Sequence, residues 1–355
     1  MNGHNILTEK LRLGWVGSGF VGQVAHLANY CQLPNVEITG LAELRPELGQ
    51  LACEKYGIPN YFKDHTHLMD NQVCDAIVAI VRREHTASVA LDILERGLPV
   101  FTEKPMAATV AQGASLVKTA REKNCLYVNG FMRRYDEGVQ IAKNLISHQL
   151  HGGELGEPLF FRCYCFGGGD YCNISGFWNT SEPTPKHKIL PIAPDWVPKQ
   201  LKQEYERFLN VFVHDINLIR YLTDKKPKIH QVNYRKNSGS IALDFDQFQG
   251  VFEFAHLETN RYWEEGVEIL FSKGRIVLQL PPAFLRNQPA TVQVFHEDVN
   301  GATSMQQPKA DWTWSFKRQA EAFVDCLLTN GSSLSPGSDS LEDLELIEEI
   351  WSKIV

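Results

Sequence analysis

The sequence predicts an α/β protein in which an N-terminal domain on a parallel sheet precedes an α+β domain with a large, mainly antiparallel sheet. Its 355 residues, 43% of them hydrophobic, are enough for two cores. From about residue 11 to residue 128, apolar runs alternate with helical patterns, which is typical of parallel strands joined by helical crossovers. Strand-like segments dominate after that point, which favours antiparallel pairing. We therefore predict domains at residues 1–128 and 129–355.

The apolar runs define the individual elements. Those of the first domain are LRLGWVG, VEITGLAEL, CDAIVAIV, LPVFTEK and CLYVNG. Those of the second are EPLFFRCYCFG, KIHQVNYRK, SIALDF, GVFEFAHLE, GVEILFSKGRIVLQL and ATVQVFHED, with helices predicted at Tyr205 to Leu222 and after Ser315. A stretch from Gly167 to Pro198 is rich in Gly, Pro, Asn and Ser. Irregular loops of that length are usually functional or mobile.

Charge and cysteine content exclude several classes of function. The net charge of −7 argues against nucleic acid and anionic membranes as partners. Residues 1–10 lack an apolar signal core and no apolar run reaches the ~18 residues that cross a bilayer, so we expect a cytoplasmic protein. The eight cysteines contain no C-x-x-C pair, which predicts reduced thiols and no metal site. The alternative is a metal site formed by Cys163, Cys165, Cys172 and a histidine.

A glycine motif follows the first strand and opens a helix. The motif consists of Gly17, Ser18, Gly19, Phe20, Val21 and Gly22. In this context G-x-G-x-x-G is the Rossmann fingerprint for a dinucleotide: Gly17 permits the tight turn, Gly19 lets a pyrophosphate approach, and Gly22 lets helix and strand pack closely. The alternative is a plain glycine turn between a strand and a helix.

An acidic residue ends the second strand, 21 residues after Gly22. There, Glu43 can accept hydrogen bonds from the adenosine ribose hydroxyls and would repel a 2′-phosphate, which favours NAD over NADP. NADP stays possible because Arg45 can pair with a phosphate. Alternatively, Glu43 is only a carboxylate near a helix N-terminus beside Pro46.

Five further segments complete a recognisable order. They are Glu103-Lys104-Pro105, GFMRRYD from Gly130, GELGEP from Gly153, VHDINLIRYL from Val213 and SFKRQAEAF from Ser315. With the fingerprint upstream, the chain resembles the Gfo/Idh/MocA oxidoreductases, the family that includes glucose-fructose oxidoreductase and inositol 2-dehydrogenase. The resemblance implies an NAD(P)-dependent dehydrogenase or reductase acting on CH-OH groups of a sugar, amino sugar, nucleotide sugar or cyclitol. The alternatives are a biliverdin-reductase-like reductase of a non-sugar and a non-catalytic dinucleotide-binding sensor or partner protein.

The resemblance also implies site residues. Lys104 and His214 correspond to the family's lysine near the nicotinamide and its proton-transferring histidine, a chemistry that suits hydride transfer at a carbinol. Further cofactor contacts are expected from His85, Glu103 and Pro105, with a cis Lys104-Pro105 peptide, and substrate contacts from Arg133, Tyr135, Asn210 and His214.

Two positions depart from the inositol dehydrogenase-like members, which carry Asp where this chain has Asn210 and often carry Asp where it has Asn217. An amide can orient a hydroxyl but cannot share a proton as a carboxylate does. Asp215 points about 100° away from His214 on a helix, so we expect it to support the site from behind or to face solvent.

The second sheet has helices for only one face. Alternating strands such as SIALDF leave the other face for solvent or another subunit, which predicts a homodimer or homotetramer.

Overall fold

The computed structural model describes residues 10–168, 175–185, 189–259 and 262–355. Its first sheet has six parallel strands in the order β3-β2-β1-β4-β5-β6. Their bounds are β1 Leu11–Val16, β2 Val36–Ala42, β3 Tyr61–Phe62, β4 Ala76–Ala79, β5 Val100–Glu103 and β6 Tyr127–Gly130. The predicted parallel sheet is confirmed. Helices cover both of its faces, which explains why its strands are so apolar. Strands covered on both faces are apolar throughout, as in β4, where all four residues are buried.

Five helices connect these strands. They are α1, a π-helical turn Gly22–Leu27 that continues as Ala28–Tyr30, then α2 Pro46–Tyr56, α3 His65–Asp70, α4 Arg83–Glu95 and α5 Val110–Glu122. The N-termini of α3 and α5 are capped by Asp64 and Thr109, whose side chains accept a backbone N–H.

The second sheet has eight strands in the order β14-β13-β12-β11-β7-β10-β9-β8. Their bounds are β7 Pro158–Gly167, β8 Lys228–Arg235, β9 Ser238–Asp244, β10 Gln249–His256, β11 Trp263–Phe271, β12 Gly274–Leu280, β13 Thr291–Glu297 and β14 Thr303–Gln306. All neighbouring pairs are antiparallel except β7 and β10, so the mainly antiparallel sheet is confirmed. Sequence reasoning missed β14, an edge strand whose four residues are all exposed and carry no alternation.

Among the residues described after β6, four α-helices are present: α6 Glu137–Leu150, α7 Lys202–Thr223, α8 Ser315–Thr329 and α9 Gly337–Ser352. Helices α6 and α7 pack on the second sheet. Helix α8 instead returns to the first domain, where Phe323 and Val324 join the core around Leu13 and Trp15. The sequence shows that α8 is amphipathic but not which core its apolar face meets. In the part of the chain that the structure describes, no helix combines the length and apolarity needed to span a bilayer.

Candidate active site

A cleft lies at the carboxyl ends of β1, β2 and β4, where the glycine motif joins β1 to α1. Gly17 has φ +89°, and a Cβ there would lie 2.3 Å from the carbonyl oxygen of Ile80. A Cβ on Gly22 would lie 3.1 Å from the Gly17 carbonyl oxygen, whereas a Cβ on Gly19 would meet no atom within 4 Å. The close packing and the open face therefore fall where a pyrophosphate cradle needs them.

The cleft has a volume of about 410 Å³, within the range of small-molecule sites. It brings together most residues predicted to bind a cofactor: Gly17, Gly19, Phe20, Val21, Gly22, Glu43, Arg45 and His85. Sequence reasoning missed other lining residues, among them Asp64, His65 and Arg82. These follow β3 and β4 without a motif of their own.

The Glu43 carboxylate lines this cleft, is held by several hydrogen bonds and is only 6% exposed. Its Oε2 accepts from the backbone N–H and the hydroxyl of Ser18, both at 2.9 Å, and its Oε1 accepts from Arg45 Nε at 2.8 Å. Burial alone would raise the pKa of Glu43, but the bonds from Arg45 and Ser18 lower it below its usual value. Glu43 is therefore charged at neutral pH, and Ser18, predicted as a cofactor ligand, turns its side chain toward Glu43.

A segment of the second domain covers the cleft. We call residues 175–185 the strap. Phe177, Trp178, Asn179 and Thr184 line the cleft from the strap side. The amide of the buried Gln23 exchanges two 2.9 Å hydrogen bonds with the backbone of Trp178. The strap is part of the Gly167–Pro198 loop for which sequence analysis predicted function or mobility; residues 169–174 and 186–188 of that loop lie outside the described residues.

Lys104 and His214 approach one another from different domains, although neither of them lines the cleft. Lys104 follows β5, and its peptide bond with Pro105 is cis, as the resemblance implied. Its Nζ donates to the backbone carbonyl of Asn210 at 2.7 Å and lies 3.5 Å from the Asn210 Oδ1. His214 is one turn farther along α7, and its Nδ1 has no hydrogen-bond partner among the described residues.

Both groups are shifted toward their neutral forms. Burial lowers the pKa of Lys104 to about 8, although the Glu103 carboxylate acts in the opposite direction. Burial, then the charges of Lys104 and Arg133, lower the pKa of His214 well below 6.5. At neutral pH His214 is therefore a neutral proton acceptor, and Lys104 is a cation close to its titration point.

A buried charge cluster lies behind His214. Asp215 is 1% exposed, so the expectation that it could face solvent is wrong. Burial and the nearby Glu265 raise its pKa, and burial also raises the pKa of Glu265 despite the Arg133 cation. Arg133 forms an ion pair with Glu265 and donates to the Pro281 carbonyl at 2.9 Å. The second domain thus buries charged residues that are far apart in the sequence and that no sequence motif connects.

Three other predicted site residues contact mainly residues outside the cleft, although Glu103 also accepts the backbone N–H of Lys104 at 3.1 Å. The Tyr135 hydroxyl lies 3.1 Å from the hydroxyls of Ser333 and Ser335, and Glu103 bonds to His26 Nε2 at 2.8 Å. Pro105 lines a small neighbouring cavity. The predicted substrate contact of Tyr135 and cofactor contacts of Glu103 and Pro105 therefore gain no support from these partners.

Within the described ranges, no group of three His, Cys, Asp or Glu side chains is placed to hold a metal ion. Cys163 and Cys165 are buried in β7, and burial raises the pKa of both thiols. Cys172, the third cysteine of the alternative metal site, lies outside the described residues.

Residues 11–131 match a family model described as "Oxidoreductase family, NAD-binding Rossmann fold", which confirms the resemblance inferred from the motifs. The inositol 2-dehydrogenase of Salmonella typhimurium is 28% identical over 218 residues, or 60% of this chain and 61% of that enzyme. The chain therefore matches less than two thirds of that relative's length.

Two solved structures show the same fold over nearly the whole chain. A putative NADPH-dependent oxidoreductase from Desulfitobacterium hafniense superposes with a TM-score of 0.78 at 13% identity, covering 98% of this chain and 96% of that one. A 3-ketoreductase from Actinomadura kijaniata, crystallised with NADP and TDP-benzene, gives a TM-score of 0.74 at 17% identity, covering 97% and 98%. Both domains therefore share the architecture of these proteins.

Proposed function

We propose that the whole chain is an NAD(P)-dependent dehydrogenase or reductase, because residues 11–131 match the family model of the Gfo/Idh/MocA oxidoreductases. The reaction is reversible hydride transfer at a carbinol or carbonyl carbon of a polyhydroxylated small molecule. Two observations carry the proposal: the cleft formed at the glycine motif, and the convergence of Lys104 and His214 from different domains.

The residues of the cleft fit a nicotinamide dinucleotide. The open backbone at Gly19 and the N-terminus of α1 suit the pyrophosphate, and Glu43 suits the adenosine ribose. When bound, the dinucleotide supplies the hydride acceptor or donor. Strap residues line the cleft, where they would shield a bound dinucleotide from water.

We assign proton transfer to His214 and stabilisation of the substrate oxygen to Lys104. In the oxidation direction, neutral His214 accepts the proton of the substrate hydroxyl and returns it in the reduction direction. The Lys104 ammonium, held by the Asn210 carbonyl, donates a hydrogen bond to the same substrate oxygen.

The substrate class we propose is a sugar, amino sugar, nucleotide sugar or cyclitol. The names of the similar proteins, an inositol 2-dehydrogenase and a 3-ketoreductase, support that range. Asn210 in place of a carboxylate argues for a substrate or proton path that differs from that of the inositol-type members.

The test is a turnover screen followed by nicotinamide absorbance, with NAD and NADP against inositols, hexoses, amino sugars, nucleotide sugars and their keto forms. We expect turnover of at least one of these classes by the wild-type chain and its loss in Lys104→Ala. Lys118→Ala, which truncates a lysine on α5 whose side chain is 75% exposed, is the matched control. Dinucleotide binding without turnover of any class would contradict the proposed activity.

We also propose a homodimer or homotetramer. Support comes from the second sheet, where α6 and α7 pack on one side and apolar side chains such as Leu159 and Leu270 stay exposed. Light scattering that gives a monomer at micromolar concentration would contradict it. The cytoplasmic location stays a prediction, which cell fractionation would test.

A further inference from the structure

The strap carries a carboxylate, that of Glu182, which caps a helix of the other domain. Glu182 Oε1 accepts the backbone N–H of Glu47 at 2.9 Å, and Oε2 accepts the N–H of Leu48 at 3.0 Å. The Thr180 hydroxyl donates to Oε2 at 2.9 Å. These amides form the first turn of α2, whose own N-cap residue, Arg45, provides no side-chain cap. An anion position at a helix N-terminus is therefore filled by a residue 135 positions away in the sequence.

This position adjoins the part of the cleft that recognises the adenosine ribose. Arg45 and Leu48 line the cleft, and Arg45 donates to Glu43, the residue placed for the ribose hydroxyls. Loss of hydration acts to raise the pKa of Glu182, but the bonds from Glu47, Thr180 and Leu48 and the Arg45 charge lower it. The Arg45 cation is thus shared between two ionised carboxylates.

NADP differs from NAD only by a 2′-phosphate on that ribose. A phosphate needs backbone amides and a guanidinium as donors, and here Glu43 and Glu182 already use both. Its charge of about −1.5 to −2 would also lie close to the carboxylates of Glu43 and Glu182, which already share the Arg45 cation.

We propose that Glu182 is a cofactor-specificity residue, whose carboxylate occupies the anion position beside the adenosine ribose and thereby excludes the 2′-phosphate of NADP. This inference rests on the dinucleotide binding of the proposed function. Glu182 therefore supplements Glu43: Glu43 binds the ribose hydroxyls, and Glu182 removes the donors that a phosphate would need.

The same contacts also hold the strap against α2, so Glu182 has two possible roles, in cofactor specificity and in holding the strap. The two roles predict different effects on dinucleotide binding. A fastening role affects the closure of the cleft over either dinucleotide, so its loss weakens NAD and NADP equally. A specificity role changes the ratio of the two dissociation constants. The ratio is therefore the informative quantity.

The experiment is calorimetry with NAD, NADP, ADP and 2′,5′-ADP on wild type, Glu182→Gln, Glu182→Ala and Glu47→Gln. Glu47 is an exposed carboxylate in the same helical turn, so Glu47→Gln removes an equal charge without vacating the anion position. For Glu182→Ala we expect the NADP-to-NAD dissociation-constant ratio to fall about tenfold or more, with the larger gain for 2′,5′-ADP over ADP; Glu47→Gln should change it less than about threefold.

Each remaining outcome decides against the inference or against the function. An unchanged ratio in Glu182→Ala, with both dinucleotides equally weakened, would overturn the specificity role and leave only fastening. A wild-type preference for NADP would overturn it too. Failure of the wild type to bind either dinucleotide would overturn both the inference and the proposed function, whereas the expected binding pattern without polyol turnover would overturn only the activity.

Discussion

The cofactor side of the site, around Glu43 and Glu182, stabilises charged side chains, whereas the substrate side, around Lys104 and His214, favours their neutral forms. Around the dinucleotide cleft, backbone amides and Arg45 lower the pKa of the carboxyls of Glu43 and Glu182. On the substrate side, burial lowers the pKa of Lys104 to about 8 and raises that of Asp215. The first environment fixes charges for binding, and the second makes them easy to neutralise, as proton transfer requires.

The largest expected effect is a loss of kcat, and it concerns Lys104 and His214, whose pKa values burial lowers. Truncating a general acid or base typically lowers the rate by ~10² to 10⁴, so Lys104→Ala and His214→Ala should lower kcat by such factors. Affinity for NAD(H) should stay nearly unchanged in His214→Ala, because the dinucleotide cleft is lined by other residues. Steady-state kinetics and calorimetry measure both quantities. His214→Ala with wild-type turnover would exclude it as the proton-transferring group.

The contrast also explains what the sequence could predict. The cofactor side is formed largely by neighbours in sequence, and periodicity and the glycine motif therefore predicted the parallel sheet, the cleft and Glu43. The Arg133 and Glu265 pair joins residues 132 positions apart, and only the packing of the second sheet brings them together. Buried charges give no local signal, because their sequence context resembles that of exposed ones.

The next largest expected effect is a loss of folding stability when Arg133 is truncated. Arg133→Ala leaves Glu265 buried without its cation, which typically costs about 3 to 5 kcal/mol of unfolding free energy, with the lower end expected because Glu265 can protonate. Arg12→Ala, which breaks an exposed pair with Asp75, should cost less than about 1 kcal/mol. Denaturant unfolding measures the difference.

A second variant separates the two roles of Arg133. Adding Glu265→Gln to Arg133→Ala removes the orphaned charge, so part of the lost stability should return. If Arg133→Ala kept wild-type stability and instead raised KM, Arg133 would be a substrate ligand, as the sequence suggested, and not a partner of the buried cluster.

On the cofactor side, the expected change is smaller and concerns selectivity. Glu43→Ser removes a charged hydrogen-bond acceptor for the ribose and a repulsion toward the 2′-phosphate. The preference for NAD over NADP should narrow by on the order of 1 to 3 kcal/mol in calorimetry. Gln is the isosteric comparison, because it removes the charge but keeps one acceptor. A wild-type chain that prefers NADP would contradict the assignment of Glu43.

The smallest expected effect is a shift of pH dependence on the substrate side. If the Lys104 ammonium donates to the substrate oxygen, kcat/KM for oxidation should fall above the Lys104 pKa of about 8, and the acid limb should lie well below pH 6.5, where His214 becomes protonated. Lys104→Arg should remove the alkaline limb from the accessible range, because a guanidinium keeps its proton. An unchanged limb in that variant would assign it to another group.

Asn210→Asp tests the same alkaline limb of kcat/KM by changing a neighbour of Lys104 and not Lys104 itself. The Asn210 Oδ1 lies 3.5 Å from Lys104 Nζ, so a carboxylate there would stabilise the ammonium and raise its pKa by about one unit or more. The sign follows directly: a higher pKa keeps Lys104 protonated to higher pH, and the alkaline limb of kcat/KM moves upward from about 8. A gain of activity toward inositols in this variant would show that Asn210 sets the proton path that distinguishes this chain from the inositol-type members. A limb that moves downward, or not at all, would separate Asn210 from the titration of Lys104.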